Sequence, residues 1–451
     1  MKCEEAFRAD SFGGCASVDA IKRILCAALD AANPADAVRR SLARDGGLLE
    51  VNGQEYALKN FSAIYLVAVG KASFSMANAA AKILGETLTA GIVVSKSAFH
   101  DDIDSRLHFL RASHPIPDMR SLAAGEKILE LLAKTTADDL VLFLISGGGS
   151  ALMTVPEKGI SLADMEQLTS LLLGCGARID EINTLRRALD CVKGGGLARA
   201  AYPAQTISLI LSDVVNSLLE AIASGPTVPN PTTRRDALAI LEKYDLISKT
   251  PQAIIGFLKE EAISLLGINA QEGNPVIIGS NLISAEAAKI QAEKEGFNAE
   301  VLTTLLQGEA VEVGRNLGKM LRERDFTQYE IRNFSSPFCL IFGGETTVTL
   351  NGASGRGGRN QELALAAVEE LADLPNVMLI TLATDGEDGP TDAAGAVVTG
   401  ETLSRAKKLG LDVESHLRSH DAYPFFDALG DLFKIGATGT NVNDLTFLLL
   451  E

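Results

Sequence analysis

This 451-residue chain contains no CxxC pair, no zinc-ligand spacing, and no apolar run approaching the roughly 20 residues that a membrane helix needs. The first two absences argue against a structural zinc site, and the third against a membrane-spanning segment. Positive charge is also scarce. Lys and Arg number 41 against 58 Asp and Glu, a formal net charge of −17, which speaks against nucleic acid or an anionic lipid surface as a partner. There are five histidines. His416 and His420 stand four residues apart with no acidic third ligand in a suitable pattern, so they read as a surface pair. No G-x-G-x-x-G follows a strand and no G-x-x-x-x-G-K-[ST] occurs, which leaves an ordinary dinucleotide site and a P-loop without support. The opening stretch MKCEEAFRADSFGG has early acids and no apolar h-region, unlike a signal peptide. Cys3, Cys15, Cys26, Cys175, Cys191 and Cys339 therefore read as reduced, mostly buried thiols of a cytoplasmic protein. No internal repeat or low-complexity tract is visible.

What is present is an alternation of strand and helix. AIYLVAVG (63–70), GIVVS, HFLRAS, LVLFLIS and TISLILSD (206–213) are apolar without period-two alternation, and helical patterns separate them. That pattern predicts a parallel sheet covered on both faces, a doubly wound, Rossmann-like domain over 18–263. The segment 264–275 reads as a boundary. A second, smaller α/β domain is expected over 275–451, with FCLIFGGE and TTVTL as successive strands and DLTFLLL as the last.

In open parallel sheets ligands gather at the carboxyl ends of strands, and here those ends are rich in glycine. Ser146-Gly147-Gly148-Gly149-Ser150, Gly194-Gly195-Gly196 and Gly343-Gly344 would let bare backbone N–H groups approach a phosphate. GKAS places Lys71 at a strand end beside a helix start. GRGGRN offers Arg356 and Arg359, whose guanidinium forks suit phosphate or carboxylate; Gly357 and Gly358 between them would let both meet one ligand. Arg186, Arg187 and Lys193 read as surface salt-bridge partners, with one of them open to the cleft. Asp213, Glu345, Asp385 and Asp388 fall at the same strand ends, where phosphoryl transfer needs oxygens for Mg²⁺ and a base for the attacking hydroxyl.

SHPIPD, LISGGGSAL, NTLRRALDCVKGGGLA, LILSDVV with IASGPTVP, GGETTVTLNGASGRGGRNQE, TDGEDGPTDAAGAVV and ATGTNVND resemble the class II D-glycerate 2-kinases, which carry a C-terminal MOFRL domain. The resemblance runs from about residue 18 to 450. It implies ATP-dependent phosphorylation of D-glycerate at its 2-hydroxyl in an interdomain cleft. It places the family's catalytic lysine on Lys71 and its MOFRL arginine on Arg356 or Arg359. Asp213 joins these as a catalytic candidate. The three glycine clusters, with Ser146 and Ser150, become nucleotide-phosphate contacts, and Glu345 and Asp385 become metal ligands. The expected ligands are D-glycerate, ATP and Mg²⁺ or another divalent cation, and the reading leaves room for a homodimer. One departure stands out: the family commonly has Gly-Asp after SDVV, and this chain has Asn216-Ser217, one carboxylate fewer. Two alternatives remain. One is an NAD(P)-dependent hydroxypyruvate reductase, a label some members have carried and which the missing dinucleotide fingerprint opposes. The other is a catalytically impaired metabolite-binding homologue.

Overall fold

The computed structural model describes residues 3–96, 104–260, 274–329, 336–350, 352 and 354–451. The chain forms two compact units, Pro34–Ile278 and Met1–Asn33 together with Gly279–Glu451.

The first unit opens with a small antiparallel sheet of β1 (Leu42–Asp45), β2 (Leu48–Val51) and β3 (Gln54–Ala57). Six strands then build the main sheet: β4 (Ala63–Val69), β5 (Ala90–Ser95), β6 (Leu107–Arg111), β7 (Asp139–Ser146), β8 (Gln205–Leu211) and β9 (Pro275–Gly279). Their order is β6-β5-β4-β7-β8-β9. Renumbered within the sheet this is 3-2-1-4-5-6, the doubly wound arrangement that the unalternating apolar strands imply. The pairs β5–β6, β4–β5, β4–β7 and β7–β8 are all parallel. Every residue of β7 is buried, as a strand with both faces covered requires. The strand order reverses between β4 and β7, so the loops leaving these two strands flank the topological switch point. Those loops are Gly70-Lys71 and Gly147–Ser150.

The second unit holds a mixed sheet of β10 (Asn298–Leu306), β11 (Phe338–Gly344), β12 (Val377–Ala383), β13 (Gly395–Thr399), β14 (Leu432–Phe433) and β15 (Asp444–Leu450), in the order β10-β11-β15-β12-β13-β14. The last strand is inserted centrally, antiparallel to both β11 and β12, and is buried throughout.

Three sequence expectations need correction. The units divide at 33/34 and 278/279, where domains over 18–263 and 275–451 were expected. Helix Val18–Ala32 packs Ile21, Ile24, Leu25 and Ala28 into a core with Ala285, Ala288, Ala292 and Phe447 of the second unit, and β9 completes the first unit's sheet. Apolar helix faces do not announce which core they enter. Of the expected boundary, 264–273 lies outside the described residues. TTVTL (346–350) is not a strand but carries a single bridge, Glu309 to Thr347. Gly344, at φ +146°, turns the chain out of the sheet, and the Glu309 carboxylate accepts from Thr349 N–H and Oγ1 at 3.2 and 2.7 Å. Finally, the thiols are not all reduced. Helix Cys3–Ala6 lies against helix Val18–Ala32, and Cys3 and Cys26 form a disulfide across a Cα–Cα distance of 5.9 Å. Cys15, Cys175, Cys191 and Cys339 are free. No helix among the described residues is long and apolar enough to cross a membrane.

Candidate active site

Backbone contacts stitch the two switch-point loops together. Lys71 N–H donates to Gly147 O at 2.9 Å, and Ala72 N–H donates to Ser146 Oγ at 3.1 Å. Gly70 has φ +134°, and a Cβ there would run into the Ser146 backbone and hydroxyl, so glycine is what lets the loops approach. Helix Ser73–Leu84 starts immediately afterwards, leaving the exposed Lys71 side chain beside its positive end. Ser146 is buried and occupied by the Ala72 N–H; it shapes the loop from inside.

The three glycines that follow each face a different neighbour. A Cβ on Gly147 would overlap the Asp213 carboxylate. Gly148 has φ +80°, and a Cβ there would stand 3.0 Å from His114 Cδ2 and 3.3 Å from Lys71 Cγ. Gly149 packs against Ala223 and begins a single helical turn, Gly149–Leu152. Lys71 N–H takes the Gly147 carbonyl, Ala151 and Leu152 take that of Gly148, and Met153 takes that of Gly149. Among the described residues none accepts from the N–H of Gly148, Gly149 or Ser150, as the first turn of a helix leaves them. Ser150 Oγ meets Ser224 Oγ at 2.9 Å, and Ser224 donates on to Asn183 Oδ1 at 3.2 Å.

The loop therefore gathers Lys71, His114 and Asp213 around unpaired backbone donors. Burial raises the Asp213 carboxyl above its usual range, and the Lys71 charge opposes that shift. Burial lowers the His114 imidazole, and the positive charges of Lys71, Lys96 and Arg186 lower it further. In a chain of net charge −17 this is a local concentration of cations.

Gly194–Gly196 do not serve as a second cradle. Their N–H groups donate to Ser224 O (3.0 Å), Gly225 O (2.7 Å) and Lys193 O (3.0 Å). The triple glycine is there because the segment 224–226 packs against it; a Cβ on Gly196 would collide with the Cys191 carbonyl. Lys193 is fully buried and paired with Asp190, and it also donates to Met153 O at 3.2 Å. Asp190 in turn accepts from Thr154 Oγ1 at 2.6 Å.

In the second unit Gly343 and Gly344 are buried rungs of the β11–β15 ladder, opposite Leu445 and Asp444, which is not where an anion would meet free amides. Glycine is needed at 343 because the Asn281 carboxamide fills the space of a Cβ. Arg359 is held by Glu345 at 2.5 Å and by Asp444 at 2.5 and 3.2 Å. Arg356 is exposed, lies 3.8 Å over the Tyr423 ring and sits 3.7 Å from Asp392. The two guanidiniums thus have separate partners and do not converge on one point. Gly358 is the N-cap of helix Arg359–Leu371, and side chains on either side of a cap diverge. Asp388 caps the same helix, accepting from Asn360 N–H at 3.1 Å and Gln361 N–H at 2.9 Å. Burial, with Asp444 nearby, pushes its carboxyl up to about 7.

Glu345 and Asp385 do not form a protein-built cage for Mg²⁺. Glu345 is engaged by Arg359, Asp385 accepts from Glu387 N–H at 3.1 Å, and among the described residues no three His, Cys, Asp or Glu side chains gather as metal ligands would.

The two arginines can be separated by experiment. Arg359→Ala should cost about 3 kcal/mol by chemical denaturation, the low end for a disrupted buried ion pair, because two carboxylates lose their partner while the guanidinium is still 30% exposed. Arg356→Ala should cost under about 1 kcal/mol. Equal losses would contradict the division of labour drawn here.

Comparison with known proteins fits this geometry. A family profile described as a domain of unknown function, DUF4147, matches residues 20–259, and the MOFRL family profile matches 338–444. A glycerate 2-kinase of Pyrococcus horikoshii is 41% identical over 95% of this chain and 96% of its own length. A human glycerate kinase is 37% identical over 95% and 92%. The crystal structure of a glycerate kinase from Thermotoga maritima superposes with a TM-score of 0.83 at 38% identity, covering 95% of this chain and 98% of that one. The chain belongs to the glycerate 2-kinase family.

At the one departure from the family's motif the backbone is left-handed. Asn216 has φ +68° and Ser217 φ +48°, a left-handed conformation that asparagine tolerates better than most residues. Sequence reasoning passed over His114, Asn183 and Ser224, did not foresee the chain that joins Ser150 to them, and grouped Arg186 with surface salt-bridge partners. All of these residues lie inside the motifs quoted above. Their contacts become visible once the helix Ile179–Leu189 and the left-handed turn at Ala223 and Ser224 are folded against the glycine loop.

Proposed function

We propose that this chain transfers the γ-phosphoryl group of ATP to the 2-hydroxyl of D-glycerate, giving 2-phosphoglycerate and ADP. One observation carries the reading: at the switch point of the doubly wound sheet, unclaimed N–H groups of Gly148–Ser150 lie with the Lys71 side chain and the half-buried Asp213 carboxylate. Phosphoryl transfer asks the protein for position and charge more than for covalent chemistry. The loop amides receive phosphate oxygens. Lys71 offsets the negative charge spreading over the transferring group. Asp213, made a stronger base by burial, accepts the proton of the 2-hydroxyl as its oxygen attacks phosphorus and the bond to the ADP oxygen breaks. Mg²⁺ or another divalent cation enters this reading as a companion of the ATP phosphates, since the carboxylates expected to hold it are engaged elsewhere.

The strand order is one that dinucleotide enzymes share, but order is a property of the fold and not of the reaction. The turn after β4 is Gly-Lys-Ala-Ser, without the glycine spacing that seats a pyrophosphate, so a reductase reading has no site to stand on. ATP and D-glycerate coupled directly to enolase, with no mutase present, should give an immediate signal, because only 2-phosphoglycerate is consumed. ADP formation without that signal would move the phosphoryl group to the 3-hydroxyl. Hydroxypyruvate-dependent oxidation of a nicotinamide without ATP would overturn the assignment, and binding of ATP and glycerate with no ADP formed would support an impaired homologue.

A further inference from the structure

Helix Ile179–Leu189 and the turn after it carry three cations whose surroundings differ. Arg187 is buried and fully engaged: it donates to Asn230 Oδ1 at 3.0 Å, Glu220 O at 3.1 Å and Thr184 Oγ1 at 3.2 Å. Lys193 has Asp190. Arg186 is half-buried and has no hydrogen bond or ion pair to any described residue. Neither arginine is the surface salt-bridge partner that the sequence suggests. Successive residues on a helix point about 100° apart, which sends Arg187 toward Asn230 and Arg186 into a niche of about 20 Å³ whose lining includes Pro117, Ser150, Thr154, Met165, Glu166 and the already paired Lys193.

A guanidinium removed from water without an anion costs free energy. Burial lowers its pKa, and Asp190, the one acid that opposes the shift, is already committed to Lys193. Arg186 is also close enough to the glycine loop for its charge to be felt at His114, whose ring lies against Gly148. Ser150 belongs to both the niche and the loop.

We infer that Arg186 is the anchor for the carboxylate of the acceptor substrate, held in the niche it shares with Ser150. The inference rests on the kinase reading above and deepens it. The space admits one or two water-sized groups, which suits the two oxygens of a carboxylate and excludes a phosphate chain. The planar fork of arginine matches that carboxylate with two parallel N–H donors. In a 2-hydroxy acid the carboxylate carbon is bonded directly to the carbon bearing the reacting hydroxyl. An anchor beside Ser150 therefore presents the 2-hydroxyl to the glycine loop and leaves the 3-hydroxyl one carbon further away. Arg186 in this way sets both the preference for an acid over a neutral polyol and the site of phosphorylation.

The test compares wild type with Arg186→Met and Arg186→Lys, using D-glycerate and its neutral carboxamide, D-glyceramide, as acceptors. Arg186→Met should raise KM for D-glycerate about 100-fold, keep KM for ATP within about threefold, and turn over D-glyceramide as wild type does. Its thermal midpoint should be equal or higher, because the lost group has no protein partner. Arg186→Lys should fall between, and it decides the matter if the methionine variant does not fold. An unchanged KM for D-glycerate, a loss confined to ATP, or an equal loss with D-glyceramide would overturn the assignment. Calorimetric titration of D-glycerate alone separates this inference from the kinase reading. Binding by wild type that disappears in Arg186→Met supports the anchor even if no phosphoryl transfer is found, whereas equal binding by both proteins refutes it even if the enzyme is a kinase.

Discussion

Lys71→Ala is expected to lower kcat by about a thousandfold or more while leaving the thermal midpoint unchanged within about a degree. The expectation follows from how the residue is held. Its backbone N–H is bonded to Gly147 O, which alanine preserves, and its exposed side chain makes no hydrogen bond or ion pair to a described residue, so folding loses little. What is lost is a positive charge at the start of helix Ser73–Leu84, beside the loop proposed to receive the phosphates. Removing one charge-stabilising donor costs about 10²–10³ in kcat in comparable sites, and a cation acting directly on a transferring phosphoryl group is worth more. Lys71→Arg should not restore the rate, since a planar fork does not replace a compact ammonium at a crowded glycine; Gly148 lies against the Lys71 stem. Wild-type turnover in the alanine variant would remove Lys71 from the mechanism.

Gly147→Ala should be nearly as damaging. The new methyl group would occupy the space of the Asp213 carboxylate, and that carboxylate must move. A displacement of the order of 1 Å in a positioned group costs about 100-fold, so kcat should fall by at least that factor. The test of cause is the double variant. In an Asp213→Ala background the same glycine substitution should cost less than about threefold further, because the group it displaces is already gone. Additive losses would mean that Asp213 is not the group through which Gly147 acts. The pH profile gives a second reading. Burial raises the Asp213 carboxyl, and a base works only when deprotonated. Activity should therefore rise with pH along a limb displaced above the ordinary carboxylate range, and Asp213→Asn should abolish that limb.

Much of this site is legible in the primary structure, and the legible part has a common character. LVLFLIS is buried on both faces and nothing in it alternates, so its place in a covered parallel sheet can be read directly. A lysine just after a strand, and three glycines just after another, also survive translation into three dimensions, because strand ends and helix starts are local events. Gly194–Gly196 look the same on paper as Gly147–Gly149. Their amides are satisfied by Ser224, Gly225 and Lys193, however, and whether an N–H group is free depends on what packs against it. The same limit accounts for Gly343-Gly344, whose neighbour in the ladder comes from a strand about 100 residues later, and for Arg356 and Arg359, whose partners include the distant Tyr423, Asp392 and Asp444.

Chain order and local patterning by themselves determined the strand–helix alternation, the doubly wound class and the position of Lys71 at a strand end. These depend on periodicity and on residues within a turn or two of one another. Folding alone decided which glycine amides stay unpaired, which arginine lacks a counter-charge and which core receives the first long helix. Those outcomes turn on the solvation and pairing of polar groups brought together from distant parts of the chain, and a polar group's free energy depends on its neighbours far more than on its identity.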